Sequence, residues 1–452
     1  MSQGTLESFL RLSIRGMASM AAHDRRSDAI GSRIRRTFHK RQVAEMIGVG
    51  LSTLARHEKE SASWPAGTVA GRERVYTLDE IMVMRAILAA APKPRVEPLA
   101  WRKPGDALPV VSFASQKGGT GKSLSAAHFA QYLSLTYGMR VGLIDADPQH
   151  TLSLYFASPE QRDGVPYRDY ETLVDFAGLF MDAETSAPLS TRSPAELDGC
   201  WVETPWPGIR LIPANVETSE GEIQLARLMQ ARVSEPPLYM HTKRAIDRWA
   251  ESHPPLTDPS DLADASGTVD PARLASALTE TLDIIVIDYQ PALTIFQLNN
   301  LVASTHLVIP QTMKGFDIAT LEAFLVKLLD YVEDVLSTNT ALSIGSGEHV
   351  ILPTIVQRSN DADLEQIGAM MQACPGAVSP VFYLRSDAIA NAADLYQSAY
   401  EYEPNAGQRR GMRRFIENAN AVNDALVAKI WPGRERGYAQ AWMDANYGEE
   451  DD

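Results

Sequence analysis

One short stretch of the chain has the residue types and the spacing to bind the phosphate groups of a nucleotide. An apolar, β-prone run over 108–114 precedes it, and the pattern over 124–135 predicts a helix behind it. Glycines between a strand and a helix let consecutive backbone N–H groups point at an anion, and the helix dipole adds partial positive charge there. The candidate nucleotide-contacting residues are Lys117, Gly118, Gly119, Thr120, Gly121, Lys122, Ser123 and Leu124.

Two side chains of this loop have distinct expected roles, and a third departs from the usual pattern. Lys122 is expected to reach the β- and γ-phosphates, and the Ser123 hydroxyl is expected to hold Mg²⁺. The common signature G-x-x-x-x-G-K-[ST] needs a glycine where this chain has Gln116. A second lysine, Lys117, begins the loop instead, so the chain carries the deviant form K-G-G-x-G-K-[ST].

Acidic residues end two further apolar runs. The run over 139–144 ends in the string D-A-D-P-Q, which contains Asp145 and Asp147, and the run over 282–287 ends in Asp288. Acids at the carboxyl ends of parallel strands lie beside the ligand crevice of an open α/β sheet. An acid after a fully apolar strand is typical of a Walker B carboxylate. We therefore predict an α/β P-loop NTPase fold, with a mostly parallel central sheet flanked by helices.

These three strings resemble the ParA/MinD branch of deviant P-loop ATPases. The resemblance implies ATP or ADP and Mg²⁺ as cofactors and an ATP-sandwich homodimer, in which Lys117 contacts the nucleotide of the partner subunit. It implies that Asp147 orients or activates the attacking water, so that the catalytic residues are Lys117, Lys122 and Asp147. It also implies that Ser123, Asp145 and Asp288 surround the Mg²⁺ ion.

Composition restricts the class of protein. At 452 residues with 45% hydrophobic content, two or three domains with sizeable cores are expected. Two distant cysteines, Cys200 and Cys374, indicate a reducing, cytoplasmic setting. No run approaches the roughly 18 apolar residues of a membrane span, so no membrane partner is expected. Apolar spacing near the start predicts a helix within 1–30, which either pairs two chains or packs on its own domain.

The net charge of −15 argues against nucleic acid, but the charge is unevenly spread. Residues 1–76 carry 13 Lys and Arg against 7 Asp and Glu. Within this basic segment, the string V-A-x-x-I-G-V-G-x-S-T-L-x-R resembles a helix-turn-helix, with helices over 37–47 and 51–57. A wing-like tail and a closing helix over 78–90 complete a winged helix-turn-helix domain at 31–91; the alternative is a plain helical hairpin with solvated arginines. The side chains expected to face DNA are Ser52, Thr53, Arg56 and His57 on the second helix and Arg72 and Arg74 on the wing.

The rest of the chain divides into a linker and the ATPase domain. Five prolines between 91 and 109 predict an extended linker over 92–108, and the ATPase domain spans 109–452. Its last long helix places four arginines on one face, which either contact DNA phosphates without sequence choice or are simply solvated. These are Arg409, Arg410, Arg413 and Arg414. The acidic terminus lacks the basic amphipathic helix by which MinD-type proteins bind membranes.

A DNA-binding domain ahead of a deviant P-loop resembles the large ParA or RepA type of plasmid partition ATPase. The resemblance implies a cytoplasmic, nucleoid-associated homodimer that binds DNA when loaded with ATP, is a slow ATPase alone and is stimulated by a ParB-type centromere-binding partner. It implies operator-specific DNA binding and autoregulation by the N-terminal domain. The alternative is a nucleotide-sensing repressor with little or no turnover. Other deviant P-loop proteins fit this sequence less well. A nitrogenase-type iron protein needs cysteines that bind its cluster, a bacterial tyrosine kinase needs a Tyr-rich tail, and an anion pump ATPase usually has a second phosphate loop.

Overall fold

A computed structural model describes residue 11 and residues 36–91, 96–157, 167–179, 192–232, 237–338, 345 and 347–447. Apart from residue 11, the helix predicted within 1–30 lies outside the described residues, and so does the acidic terminus 448–452. Within the described ranges no helix has both the length and the hydrophobicity to cross a membrane.

The N-terminal part contains helices packed on a small antiparallel sheet of order β1-β3-β2. A turn at 48–50 joins its first two helices, and Gly48 in this turn has φ +80°, which favours glycine. Val43, Ala44, Ile47 and Leu54 of these helices are buried in one cluster with Phe38 and Tyr76 of the sheet. The elements are β1 (Phe38–His39), α1 (Lys40–Ile47), α2 (Leu51–Glu60), β2 (Thr68–Ala70), β3 (Glu73–Tyr76) and α3 (Leu78–Ala89).

The larger part is an α/β unit built on seven strands. The strands are β4 (Val110–Phe113), β5 (Val141–Ala146), β6 (Val202–Glu203), β7 (Ile209–Ile212), β8 (Ile284–Tyr289), β9 (His306–Gln311) and β10 (Val350–Pro353). The helices are α4 (Lys122–Tyr132), α5 (Thr151–Phe156), α6 (Leu173–Phe176), α7 (Pro194–Gly199), α8 (Glu220–Gln230), α9 (His241–Ser252), α10 (Pro271–Thr279), α11 (Ile295–Ala303), α12 (Gly315–Thr338), α13 (Asp361–Ala373), α14 (Asp387–Ala393), α15 (Arg409–Ile430) and α16 (Tyr438–Tyr447). A π-helical turn (Leu133–Tyr137) continues α4, and short 3₁₀ turns lie at Val216–Ser219 and Pro259–Asp261.

The sheet order is β10-β9-β4-β8-β5-β7-β6, and every pairing is parallel except that of the edge strand β6. Helices on both faces explain why β4, β5, β7 and β8 are buried along their whole length. The predicted mostly parallel α/β architecture is therefore confirmed. Register pairs Asp288 with both Phe113 and Asp145, so the carboxyl ends of β4, β8 and β5 lie side by side.

The segment predicted as an extended linker packs against the protein. Residues 96–109 contain no helix or strand, as the prolines predict, yet Leu99, Ala100 and Trp101 are buried. The Trp101 indole donates to the Gly138 backbone oxygen at 2.8 Å. Apolar side chains of α3, of this segment and of the region before β8 form one cluster: Met82, Ala86, Ile87, Ala89, Leu99, Trp101, Leu262, Val269, Leu274 and Ala277. The cluster attaches the N-terminal part directly to the α/β unit.

Candidate nucleotide site

The loop between β4 and α4 forms an open cradle at the carboxyl edge of the sheet. Gly119 and Gly121 have φ +76° and +81°, a backbone conformation that favours glycine. A Cβ atom built on Gly118, Gly119 or Gly121 meets no described atom within 4 Å. The loop backbone therefore has room for a phosphate-sized group, and α4 places its positive N-terminus behind it.

Lys122 and Thr120 fix this loop from inside. Lys122 is 6% exposed, and its ammonium donates to the Lys117 backbone oxygen at 3.2 Å. Burial lowers the pKa of Lys122, while the charges of Asp288 and Asp147 oppose that shift. The backbone oxygen of the buried Thr120 accepts from the Thr354 hydroxyl at 2.8 Å. Sequence reasoning missed Thr354; its place directly after strand β10 was the available signal.

Asp145 is a buried carboxylate whose oxygens are already engaged. Its Oδ1 accepts from the Asp147 backbone N–H at 3.1 Å. Its Oδ2 accepts from the Ser153 backbone N–H at 2.8 Å and from the Ser153 hydroxyl at 2.7 Å. Burial raises the pKa of Asp145 to about 7 despite these donors. In this structure Asp145 positions the backbone that carries Asp147, and its place in the Mg²⁺ shell stays a prediction.

Asp288 has the opposite surroundings. It is 0% exposed, and neither carboxylate oxygen has a hydrogen-bond partner among the described residues. Burial, followed by the charge of Asp145, raises the pKa of Asp288 well above its usual range, and the charge of Lys122 only partly offsets this rise. A buried carboxylate without donors is destabilising unless a cation approaches it.

The residues at this edge of the sheet are suited to bind Mg²⁺ together with the phosphate groups of a nucleotide. The two orphaned oxygens of Asp288 and the half-buried Ser123 hydroxyl are the hard oxygen ligands that Mg²⁺ prefers. No group of three or more His, Cys, Asp or Glu among the described residues could hold a metal alone. Phosphate oxygens and waters would therefore have to complete the shell, as is usual for Mg²⁺.

Asp147 lies just beyond β5 and keeps partial access to solvent. It is 8% exposed, and its Oδ1 accepts from the Gln149 backbone N–H at 2.9 Å. Burial raises the pKa of Asp147, while this donor and the charges of Lys122 and His150 oppose the shift. An oriented carboxylate close to the phosphate lysine is placed to accept a hydrogen bond from a water molecule.

Lys117 is held by its own subunit. Its ammonium forms an ion pair with Asp317, whose side chain is 1% exposed. The Thr312 hydroxyl also donates to the Asp317 carboxylate, and the Gln311 side-chain amide donates to the Asp317 backbone oxygen at 2.9 Å. Burial alone would raise the pKa of Asp317, but Lys117 and Thr312 lower it overall. Sequence reasoning missed Asp317; an acid in the first turn of α12 was the only local signal.

The predicted DNA-facing residues of the N-terminal part differ in exposure. Ser52 and Arg56 are exposed, Thr53 of the same helix α2 is half-buried, and Arg72 and Arg74 on the hairpin are exposed. His57 is buried instead of facing outward, which corrects that expectation. It lies three residues after Leu54 and so shares the core-facing side of α2. Burial, then the charge of Arg56, lowers the pKa of His57.

The predicted arginine face is present at the start of α15. All four arginines are exposed, whereas Met412 and Phe415 on the other side of the helix are buried. Arg413 also forms an ion pair with Glu417 at 3.0 Å. The four arginines are Arg409, Arg410, Arg413 and Arg414.

Replacing Asp288 with asparagine is expected to stabilise the nucleotide-free protein, by about 2–4 °C at pH 8 and by less at pH 5. Because the pKa of Asp288 is raised, the folded protein binds a proton on this carboxyl group more tightly than the unfolded chain does. The free energy of unfolding of the natural chain therefore falls as the pH rises from the ordinary carboxyl pKa towards the raised one. Asparagine removes that ionisation. Differential scanning fluorimetry at both pH values measures the shift, with the exposed Asp361→Asn as control. Equal shifts at the two pH values would contradict the assignment.

Comparison with known proteins agrees with this geometry. The family model described as "CobQ/CobB/MinD/ParA nucleotide binding domain" matches residues 111–427. A replication protein A of Rhizobium rhizogenes is 26% identical over 400 residues, which cover 88% of each chain. Protein SopA of Escherichia coli K12 is 26% identical over 311 residues, covering 67% of this chain and 66% of SopA.

A solved structure titled "Partition Protein" shows the same fold. It has a TM-score of 0.54 and 16% identity, and the match covers 86% of this chain and 95% of that one. The family match spans the phosphate loop, the three carboxylates and the first turn of α12, which contains Asp317. The chain therefore belongs to the CobQ/CobB/MinD/ParA family of nucleotide-binding proteins.

Proposed function

We propose that this protein is an ATP-dependent DNA partition ATPase that works as a homodimer with a ParB-type centromere-binding partner. The proposal includes a cytoplasmic, nucleoid-associated location. One observation supports this proposal most strongly. An open phosphate cradle, the second lysine at its start and the carboxylates Asp147 and Asp288 lie together at one edge of the sheet. The similarity to SopA and to a partition protein supports the same role.

The residues of the site divide the work of phosphoryl transfer. Lys122 and the loop N–H groups stabilise negative charge that grows on the β–γ bridge and the γ-oxygens. Ser123 and Asp288 would hold Mg²⁺, which when bound neutralises charge on the β- and γ-phosphates. Asp147 orients the attacking water and accepts its hydrogen bond. Lys117 adds a further positive charge from the partner subunit.

The ion pair of Lys117 would account for the slow turnover that we propose for an isolated subunit. Lys117 has to leave Asp317 before it can reach across a dimer interface, and the buried Asp317 then loses a donor. Dimerisation therefore has to overcome a contact within the subunit. Stimulation by DNA or by a ParB-type protein would act on this step.

DNA binding is proposed at two places. The N-terminal part would act as a winged helix-turn-helix, with Ser52, Thr53 and Arg56 of α2 at base edges and Arg72 and Arg74 on phosphates. It would bind an operator and autoregulate expression. The arginine face of α15 would contact phosphates without sequence choice in the ATP state.

The double substitution Arg410→Ala/Arg414→Ala is expected to weaken binding to random-sequence DNA in the presence of ATPγS. Each lost phosphate contact lowers the slope of log affinity against log salt by about 0.9, so a fall of up to about 1.8 is expected. Fluorescence anisotropy across a salt series measures this slope. Lys429→Ala is the control, because Lys429 lies at the other end of α15 and pairs with Glu348. An unchanged slope in the double variant would assign the four arginines to a solvated face.

The experiment that tests the proposed function is ATP hydrolysis by the full chain with and without random-sequence DNA. Slow turnover that rises with DNA, and that is lost in Lys117→Ala while the variant still binds ATP, supports a dimer-completed ATPase. Analytical ultracentrifugation with ATPγS should show a dimer for the natural chain and a monomer for Lys117→Ala. Absence of turnover in every condition, including with a candidate ParB-type protein, would reject it.

A nucleotide-sensing repressor with little turnover is the second candidate. Two observations favour it: Lys117 is held within its own subunit, and the N-terminal part is attached to the α/β unit by a buried apolar cluster. Such a protein would change its affinity for operator DNA with ATP or ADP without hydrolysing ATP. The hydrolysis measurement separates the two candidates.

A further inference from the structure

A buried arginine joins the N-terminal part to the far end of the phosphate-loop helix. Arg85 of α3 is 0% exposed. Its guanidinium donates to the backbone oxygens of Pro98 and Leu135 and, at 3.5 Å, to that of Met46. All three acceptors are neutral carbonyl groups, so the buried cation depends on their exact arrangement. Burial and the nearby charge of Arg436 lower the pKa of Arg85 to about 9.

Leu135 belongs to the π-helical turn that continues α4. Such turns are rare and commonly mark functional positions in helices. A second arginine, Arg436, contacts the same turn. Its guanidinium donates to the Thr136 backbone oxygen at 3.4 Å and lies 5.1 Å from the centre of the Tyr137 ring. The turn is therefore fixed by cations from two distant parts of the chain.

The helix α4 carries the phosphate cradle at one end and this turn at the other. Its 11 residues span about 16 Å at 1.5 Å per residue. Lys122 begins the helix and now donates to the Lys117 backbone oxygen, a bond that it gives up when it reaches a phosphate. Arg436 also packs against Gly48, in the turn between α1 and α2. A Cβ atom built on Gly48 would lie only 2.7 Å from Arg436 Nη1.

We propose that nucleotide binding at the cradle is coupled to α1 and α2 through α4, the π-helical turn and Arg85. The inference rests on the proposed function, because it gives a route by which nucleotide controls the N-terminal DNA-binding part. A shift of the Leu135 carbonyl removes an acceptor from the buried guanidinium, so Arg85 and α3 move with the turn. The same guanidinium donates to the Met46 backbone oxygen at the end of α1, so α1 moves together with Arg85 and α3. Arg85 acts here as a positioning residue.

A second attachment of the N-terminal part avoids α4 and supplies a matched control. After α2, the Ala62 and Ser63 backbone N–H groups donate to the oxygens of Ser266 and Gly267 at 3.2 and 3.3 Å. The Ser63 hydroxyl accepts from the Val269 N–H at 3.0 Å. Ser63→Ala weakens this attachment and leaves the proposed route intact.

The test is hydrogen–deuterium exchange of the full chain with and without ADP. In the natural chain ADP should slow exchange in 122–132 and change exchange in 40–60 by about tenfold at the most affected amides, a usual size of coupling between sites. In Arg85→Met the effect at 122–132 should remain and the effect at 40–60 should fall to less than about twofold. Arg85→Lys, which keeps a donor cation, should restore part of it, and Ser63→Ala should behave as the natural chain.

The outcomes separate this inference from the proposed function. No ADP effect at 122–132 in the natural chain would reject nucleotide binding itself. An effect at 122–132 without one at 40–60, or a full effect at 40–60 in Arg85→Met, would overturn the coupling while the ATPase proposal stands. If Arg85→Met does not fold, Arg436→Met tests the same turn from its half-buried side and should also reduce the effect at 40–60.

Discussion

Replacing Asp147 with alanine is expected to lower DNA-stimulated ATP hydrolysis by about 10²- to 10⁴-fold while ATP binding is kept. The carboxylate is fixed by the Gln149 N–H and lies at the edge where β4, β5 and β8 end together. It interacts with the phosphate-binding Lys122 through its charge, but its hydrogen bond comes from the Gln149 N–H outside the phosphate loop. Its loss should therefore affect the reaction of bound ATP rather than the binding step.

Steady-state release of phosphate measures the rate, and titration with a fluorescent ATP analogue measures binding. Glu365→Ala, which removes an exposed acid of α13, is the control and should keep the natural rate. Asp145→Ala should lose activity as well, but with a disturbed loop, because Asp145 accepts from the Asp147 backbone N–H. Near-natural turnover in Asp147→Ala would assign water activation to another group.

Replacing Asp283 with alanine is expected to lower the free energy of unfolding by about 3–5 kcal/mol. Asp283 and Arg140 form a buried ion pair with an Nη2–Oδ1 distance of 2.8 Å and side chains 2% and 0% exposed. The carboxylate also accepts from the backbone N–H groups of Arg140 and Arg102, both at 2.7 Å. The Arg140 guanidinium lies 4.2 Å from the centre of the Trp101 ring. Truncation leaves a buried cation without its counter-charge.

Urea unfolding followed by tryptophan fluorescence measures this loss. The exposed Asp261→Ala, close in sequence, should change stability by less than about 0.5 kcal/mol. The double variant Arg140→Met/Asp283→Leu should recover part of the loss, because it removes both charges and keeps similar volume. A loss below about 1 kcal/mol in Asp283→Ala would mean that solvent reaches Arg140.

Local sequence patterns predicted the strands and loops that build the nucleotide site. The apolar runs before the phosphate loop, before Asp145 and before Asp288 are strands β4, β5 and β8, because a strand buried on both faces has to be apolar throughout. The glycine spacing predicted the cradle, since the left-handed conformations of Gly119 and Gly121 require that residue type.

Local sequence patterns could not predict contacts between residues that are distant in the chain. Nothing local to Lys117 indicates that Asp317 pairs with it, or that Thr354 holds the loop at Thr120. The prolines around Trp101 predicted a segment without helix or strand but not its burial, because burial depends on a surface formed mainly by α3 and residues near 270. His57 shows the same limit, since the core side of α2 is set by the buried cluster that contains Leu54, whose other members are distant in sequence.

The order of the strands in the sheet constrains how the chain can be made. Strand β4 pairs only with β8 and β9, and β8 begins about 170 residues after β4. At a synthesis rate of roughly 5–20 residues per second, the phosphate-loop strand waits about 10–30 s for its first partner. Pairing over such long sequence separations also slows folding after release. Chaperone protection of the unpaired β4 during translation is therefore the expected requirement for producing this protein in soluble form.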